Sequence, residues 1–322
     1  MHPTLFSLLG YHVSSYMLLI GVGFVLATAM GALWVRRVGQ NPDVIVDLGL
    51  ASVVAGLVGA RLLHVLADGY FWDYVHLCTD PSQVAWPVPH AECVDELGGV
   101  WDAAAAVCRP KAADCWAWAQ IWGGGLTFYG GFIAATLAAW RLFRRDRFPF
   151  WKGVDMGGMM VPIGLGLGRL GCAMVGCCFG KVCDLPWALE FPSHSPASEW
   201  QFRQKLLDTP FDTSLAVHPT QLYEAAAALL IAAALIAYVQ GRKRYDGQVF
   251  VAFLISYALS RFVIEFWRSD DRGGLLGLST SQWIGVVMLL LGLAIHFGRS
   301  LRRSRLVAPS APVEALPFVS PH

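Results

Sequence analysis

The sequence predicts an all-α polytopic membrane protein of seven transmembrane helices. Its N-terminus is expected outside, its C-terminus in the cytoplasm, and a periplasmic lobe is expected from the outer loops. Three observations predict this. Hydrophobic residues make up 56% of the 322 residues and charged residues 15%, with a mean hydropathy of +0.50, whereas a soluble domain carries about 25% charged residues. Seven apolar runs approach or exceed the ~20 residues that a bilayer-crossing helix needs. Arginine and lysine gather after every second run, as they do in cytoplasmic loops. The net charge of +1 and the pI near 7.6 give no case for nucleic acid as a partner, which would leave a basic footprint.

The first run, 16–34, ends at Arg36 and Arg37, and the second covers 44–67. The third, 126–142, ends at Arg144, Arg145 and Arg147; the fourth, 153–175, is rich in glycine. The fifth, 219–239, ends at Arg242, Lys243 and Arg244, and the sixth covers 248–267. The seventh, 281–297, ends at Arg299, Arg302, Arg303 and Arg305. The opposite loops, about 68–124 and 176–217, are longer, and residues 68–122 hold eight acidic and two basic side chains. No cleavable signal peptide is expected: the N-terminus lacks a positive region, and the first run exceeds the usual apolar segment of one. Residues 1–305 read as a single transmembrane domain and 306–322 as a disordered cytoplasmic tail.

The eight cysteines fall in two groups of four. Cys78, Cys93, Cys108 and Cys115 share the first outer loop, where an oxidising exterior favours two disulfides, in any of three pairings, over free thiols. Cys172, Cys177, Cys178 and Cys183 straddle the end of the fourth run as C-x4-C-C-x4-C, which is not the C-x2-C spacing of a zinc site. A staple from Cys183 to Cys177 or Cys178 and a metal or redox role with His194 both stay open; the expectation is no metal and no cofactor.

Ionisable groups inside apolar runs point to function. An arginine at a helix centre costs about 2.5–3.5 kcal/mol to insert, so it faces protein or a water-filled cavity. Arg61 and His64 lie late in the second run and Arg169 late in the fourth. Arg261 and Glu265 are spaced i,i+4 in the sixth, on one face, and Arg268 continues that face. His218 and Glu224 flank the start of the fifth run, where Pro219 suits a first helical turn. Arg61 and Arg169 have no acid within a turn, so each needs a partner on another helix or a ligand. Converging arginines hold an anion bidentately, and in a membrane cavity the obvious anion is a phospholipid headgroup. The stretch 164–171 contains G-x-G-x-x-G, but it ends a membrane run and opens no strand–helix unit, so nucleotide binding is rejected. Its glycines fit close helix approach, and those of 123–131 fit a loop-to-helix join.

Four ordered stretches resemble the bacterial phosphatidylglycerol–prolipoprotein diacylglyceryl transferase family: 124–131, 164–180 around Gly168-Arg169-Leu170-Gly171, His218 to Glu224, and 261–266. Tyr16 and Asp155 also fit, over roughly residues 3–300. The resemblance implies a multi-pass enzyme of the bacterial inner membrane. It would transfer the diacylglyceryl group of phosphatidylglycerol to the lipobox cysteine of prolipoprotein signal peptides, releasing glycerol phosphate. The partners implied are phosphatidylglycerol, the prolipoprotein and the bilayer. By resemblance, Arg169, Arg261, Tyr129, His218 and Glu265 are the catalytic set, with Arg169 and Arg261 on the phosphate and Glu265 orienting Arg261. Tyr16, Arg61, Gly168, Gln221, Tyr223, Glu224 and Gly130 would bind or shape substrate. The chain departs from the family where Tyr129 stands for a usual histidine, and where Cys172 and Cys177 stand for a usual asparagine and glutamate. The stretch 72–122 is also longer than the family's usual loop. A lipid-binding paralogue without lipoprotein activity and a membrane thiol oxidoreductase are the competing readings.

Overall fold

The structure, a computed structural model, describes residues 4–8, 11–88, 90, 92–121, 125–269 and 274–307. Its helices in chain order are α1 (Ser15–Arg37), α2 (Asp43–Ala67), α3 (Phe71–Thr79), α4 (Phe128–Arg145), α5 (Phe150–Val175), α6 (Pro196–Arg203), α7 (Thr220–Ala234), α8 (Gln240–Arg242), α9 (Gln248–Ile264) and α10 (Thr280–Val307). Three two-stranded antiparallel hairpins accompany them: β1 (Thr4–Leu8) with β2 (Tyr11–Ser14), β3 (Val100–Asp102) with β4 (Val107–Arg109), and β5 (Gly274–Leu275) with β6 (Leu278–Ser279). A π-turn at Leu235–Val239 joins α7 to α8, and a 3-10 turn at Glu265–Trp267 extends α9.

Six helices are long and apolar enough to cross a membrane: Ser15–Arg37, Asp43–Ala67, Phe150–Val175, Thr220–Arg242, Gln248–Trp267 and Thr280–Ser300. They take up six of the seven expected runs. The third run also folds as a helix, α4, but its 18 residues include Arg141, Arg144 and Arg145, and it is not one of the six. Helix α10 runs on to Val307, past the expected start of the tail; residues 308–322 lie outside the described residues, as do Gly123 and Gly124.

The chain divides into two compact units, residues 1–42 with 149–322 and residues 43–148. In the first, α5 packs against α1, α7 and α9, and α9 packs against α7 and α10. Half of the α5 span is buried against 17% of α1 and α10, so α5 is the central helix of this unit, and leucine and valine side chains of α1 and α10 face outward. Ser14 caps α1 by accepting from the Met17 amide at 3.2 Å. The N-terminus of α9 is capped from another helix. The fully buried Asp155 carboxylate of α5 accepts from the Gly247 and Val249 amides, each at 2.9 Å, and from Lys243 Nζ at 2.8 Å. A carboxylate there satisfies otherwise orphaned amides and meets the positive end of the helix dipole. Residues 176–217 of this unit close over a small core of Phe179, Phe191, Ala197 and Val217, with Leu189 and Trp200 against it.

In the second unit α2 lies along α4. They approach so closely that a Cβ at Gly130 would stand 2.2 Å from the Gly59 carbonyl oxygen, the use of small residues expected between membrane helices. The segment after α2 holds α3 and the β3–β4 hairpin, and two disulfides fasten it, Cys78–Cys115 and Cys93–Cys108. Asp102 pairs with Arg109 at 2.8 Å across the hairpin.

Candidate active site

The first unit brings three span ends together: the C-terminal end of α5, the N-terminal end of α7 and the C-terminal end of α9. At their meeting point one carboxylate, Glu224, lies among three guanidiniums. Arg169 Nε is 2.6 Å from Glu224 Oε2, Arg268 Nη1 donates to Oε1 at 2.8 Å, and Arg261 Nη1 stands 3.7 Å from Oε1. Arg261 also meets Glu265 Oε2 at 2.5 Å, and its Nη2 donates to Ser281 Oγ at 3.3 Å. Ser279 Oγ in turn donates to Glu265 Oε1 at 2.7 Å. Glu224, Arg261 and Arg268 are buried, whereas the Arg169 side chain keeps 18% exposure. Among the described residues, Arg169 pairs with a carboxylate through Nε, and its two Nη groups take no side-chain hydrogen-bond partner.

A loop straps this cluster. Cys177 O accepts from Gln221 Nε2 at 2.7 Å, and Cys178 O accepts from Thr220 Oγ1 at 2.9 Å. The Gly180 amide donates to His218 O at 2.9 Å, and the Lys181 amide to Trp267 O at 2.8 Å. Only glycine fits at 180, where a Cβ would lie 2.5 Å from Trp267 O. The strap therefore ties the start of α7 to the end of α9 and fixes the spacing of Glu224, Arg261 and Arg268.

The strap also carries thiols. The sulfurs of Cys172, Cys177 and Cys178 lie within 4.8 Å of one another. Hydrogen bonds from Cys172 and Cys177 hold the Cys178 thiol far below the ordinary thiol range, with the Arg169 and Arg268 guanidiniums adding to the effect. The staple from Cys183 is not formed: Cys183 is a free thiol outside the trio. His194 packs edge-on against Phe211 and is not part of the trio.

The other expected residues separate into distinct places. Tyr16 lies on Gly171, where a Cβ would stand 3.1 Å from its ring, so α1 meets α5 two residues after Arg169. Gly168 makes no close approach: a Cβ there would be 3.8 Å from Ile20. His218 and Tyr223 line a mostly apolar groove of about 680 Å³ with Leu185, Trp187, Val263 and Trp267. There Trp187 Nε1 donates to Tyr223 Oη at 2.8 Å, and His218 Nδ1 is 3.4 Å from the same oxygen. This groove uses a different face of α7 and α9 from the arginine cluster.

Arg61, Tyr129 and Gly130 belong to the second unit. Arg61, expected at substrate, is committed to the backbone. Its Nε, Nη2 and Nη1 donate to the carbonyls of Trp118, Ala117 and Gly125 at 2.8, 2.6 and 3.1 Å, and its guanidinium lies 5.2 Å from the Tyr74 ring centre. Beside it Asp68 is bonded by Thr127 and by His64 Nδ1, the latter at 2.9 Å; these two bonds hold its carboxyl below the usual carboxylate range. Gly125 is needed because a Cβ would lie 2.4 Å from His64 and 2.7 Å from Arg61, at a φ of +66°. Gly130 is taken up by the packing of α4 on α2. Tyr129 is 55% exposed on the first turn of α4.

Comparison with known proteins places the chain. A family model described as prolipoprotein diacylglyceryl transferase matches residues 3–91 and 97–297. The chain is similar to the phosphatidylglycerol–prolipoprotein diacylglyceryl transferase of Clostridium tetani, with 25% identity over 92% of this chain and 96% of that protein. It is similar to the Azoarcus sp. (strain BH72) protein of the same name, with 30% identity over 87% and 88%. A Bordetella avium protein of that name is 35% identical over 58% of this chain and 66% of its own length.

Proposed function

The chain belongs to the prolipoprotein diacylglyceryl transferase family, and from that premise we propose how its own residues carry the transfer. It is a multi-pass inner-membrane enzyme of lipoprotein maturation, acting on phosphatidylglycerol and a prolipoprotein. The protein substrate offers a lipobox cysteine. Its thiol sulfur bonds to the glycerol carbon that bears the headgroup, the carbon–oxygen bond to phosphate breaks, and glycerol phosphate leaves while the thiol proton passes to a base.

Negative charge gathers on the phosphate as that bond breaks, so donors already in place stabilise the transition state. One observation carries the assignment: Arg169 is pinned to Glu224 through Nε at 2.6 Å, and its Nη pair has no side-chain partner among the described residues. A guanidinium fixed at one edge presents its other donors as a fork, the geometry that grips phosphate bidentately. Arg261 supplies further positive charge but is oriented by Glu265, Glu224 and Ser281. Glu224 and Glu265 are thus positioning residues. His218 and Tyr223, on the apolar groove, shape the path of the acyl chains and do not touch phosphate. Tyr16 sits beside the arginine cluster at substrate, and Tyr129 stands where the resemblance places the base.

In this reading α4 is the seventh span, with Arg144 and Arg145 at its cytoplasmic end, and the disulfide-fastened lobe lies outside. The test incubates purified full-length protein with phosphatidylglycerol and a lipobox peptide. A peptide mass increment of one diacylglyceryl group, with an equal amount of glycerol phosphate released, supports transfer. Lipid binding without an increment, while an established transferase succeeds in parallel, points to the paralogue reading.

A further inference from the structure

The three thiols at the end of α5 are gathered by backbone that is shaped to gather them. Neighbours such as Cys177 and Cys178 face one point only if the chain reverses sharply around them. Here Gly176, at φ +84°, ends α5, and Cys178 itself is left-handed at φ +61°. The left-handed conformation is costly for any residue with a Cβ and persists where the surroundings hold it. They do so here: the carbonyls of Cys177 and Cys178 are held by Gln221 and Thr220, two fully buried side chains of α7. Cys172 reaches the same point from the last turn of α5, and its own side chain is buried.

From this geometry we propose that Cys172, Cys177 and Cys178 form a binding site for a thiophilic d10 metal ion, zinc(II) or copper(I). Three thiolates about 2.3 Å from a common ion stand about 3.8 Å apart, and the sulfurs lie within 4.8 Å of one another. Soft thiolate donors select ions of this kind over calcium and magnesium. Three sulfurs complete a trigonal copper(I) site or leave a tetrahedral zinc ion one position for a further ligand. Binding releases the protons that remain on the trio, and the resulting complex is anionic. That charge suits its surroundings, because the Arg169 and Arg268 guanidiniums lie within electrostatic reach of Cys178. Cys183 is left out of the site. The proposal rests on the cysteine geometry and not on the transferase reading, so each can fail without the other.

The experiment loads reduced, full-length protein in detergent with zinc(II), with copper(I) or with cobalt(II) as an optical substitute for zinc, and measures bound metal per chain. The expected result is one ion per chain, with thiolate-to-cobalt absorption in the cobalt arm. Each of Cys172→Ser, Cys177→Ser and Cys178→Ser should weaken binding by at least about tenfold, and Cys183→Ser should leave it unchanged. A measurement on the unmodified protein guards against variants that do not fold: bound metal should slow alkylation of the trio and leave Cys183 as reactive as before. The preference between the zinc and copper arms identifies the ion. No uptake by the reduced protein, uptake unaffected by Cys172→Ser, or alkylation of the trio unaffected by metal each overturns the proposal. So does a disulfide within the trio that, once reduced, still takes up no ion.

Discussion

Two regions of this molecule place an arginine late in an apolar helix, and they use it in opposite ways. In the second unit Arg61 gives Nε, Nη1 and Nη2 to carbonyls of the stretch 117–125 and so fastens loop to helix. In the first unit Arg169 is held at Nε by Glu224, and its Nη groups have no side-chain partner among the described residues. The difference separates an arginine whose donors the fold uses up from one whose donors it leaves available. Both stand late in a span with no acid within a turn of their own helix; what differs is whether the protein itself consumes the donors. A satisfied guanidinium rigidifies its surroundings, whereas one pinned by a single edge is preorganised for a ligand.

The sharpest way to break this comparison is to remove the cluster's own groups. Arg169→Ala should lower the turnover rate by roughly 10²–10³-fold, the usual loss for one preplaced donor to a developing oxyanion, with little change in thermal unfolding. Glu224→Gln should behave differently. It leaves three guanidiniums, two of them buried, without their shared carboxylate, and breaking a buried pair costs about 3–5 kcal/mol, so both stability and activity should fall. Equal stability for Glu224→Gln and the parent would show that the arginines do not depend on that carboxylate.

Arg61→Ala sharpens the comparison from the other side. It removes charged hydrogen bonds worth about 1.5–3 kcal/mol each, so the stretch 68–122 should become readily cleaved by protease while transfer stays within a few-fold. Opening Cys93–Cys108 by Cys93→Ser/Cys108→Ser should have a related effect. It closes a loop spanning 15 residues, for which about 3 kcal/mol is expected. Protease digestion with and without reductant measures both.

Helix lengths and the disulfide-bearing loop are legible in the sequence because apolarity and cysteine number are local properties. The grouping around Glu224 is half legible: Arg261 and Glu265 share a face by spacing, but Arg169, Glu224 and Arg268 meet only because three helix ends converge. Arg268, one turn beyond Glu265, can be found by asking what else neutralises Glu224, yet its i,i+3 spacing from Glu265 marks only a shared face. Arg61 and Arg169 read alike in sequence, since each is an arginine late in a span with no acid nearby. What separates them is a loop 56–64 residues away from Arg61, which no local pattern shows. The three-thiol trio is hidden for a similar reason: its spacing matches no metal motif until the left-handed turn at Cys178 is known.

Burial pushes the Lys243 ammonium down, but its bonds to Asp155 and Asp246 outweigh this and hold it above its ordinary value of 10.5. A base raised in the folded state adds stability that is fully present below its unfolded value and is lost as pH rises through the folded one. Melting temperature should therefore drop in alkaline solution above about pH 10.5, and Lys243→Met should remove that step. The smallest change is expected from Tyr129→His, which should leave transfer unchanged or raise it, because a histidine titrates nearer neutral pH than a phenol. Complete loss with a folded protein would give Tyr129 a role of its own.

In the proposed reaction Arg169 grips the phosphate and Arg61 does not. The most direct measurement follows transfer from phosphatidylglycerol to a lipobox peptide by mass spectrometry for the parent protein, Arg61→Ala and Arg169→Ala, each shown to be folded. The expected result is a diacylglyceryl increment for the parent and for Arg61→Ala and almost none for Arg169→Ala. A full increment from Arg169→Ala, or its loss from Arg61→Ala alone, would contradict it.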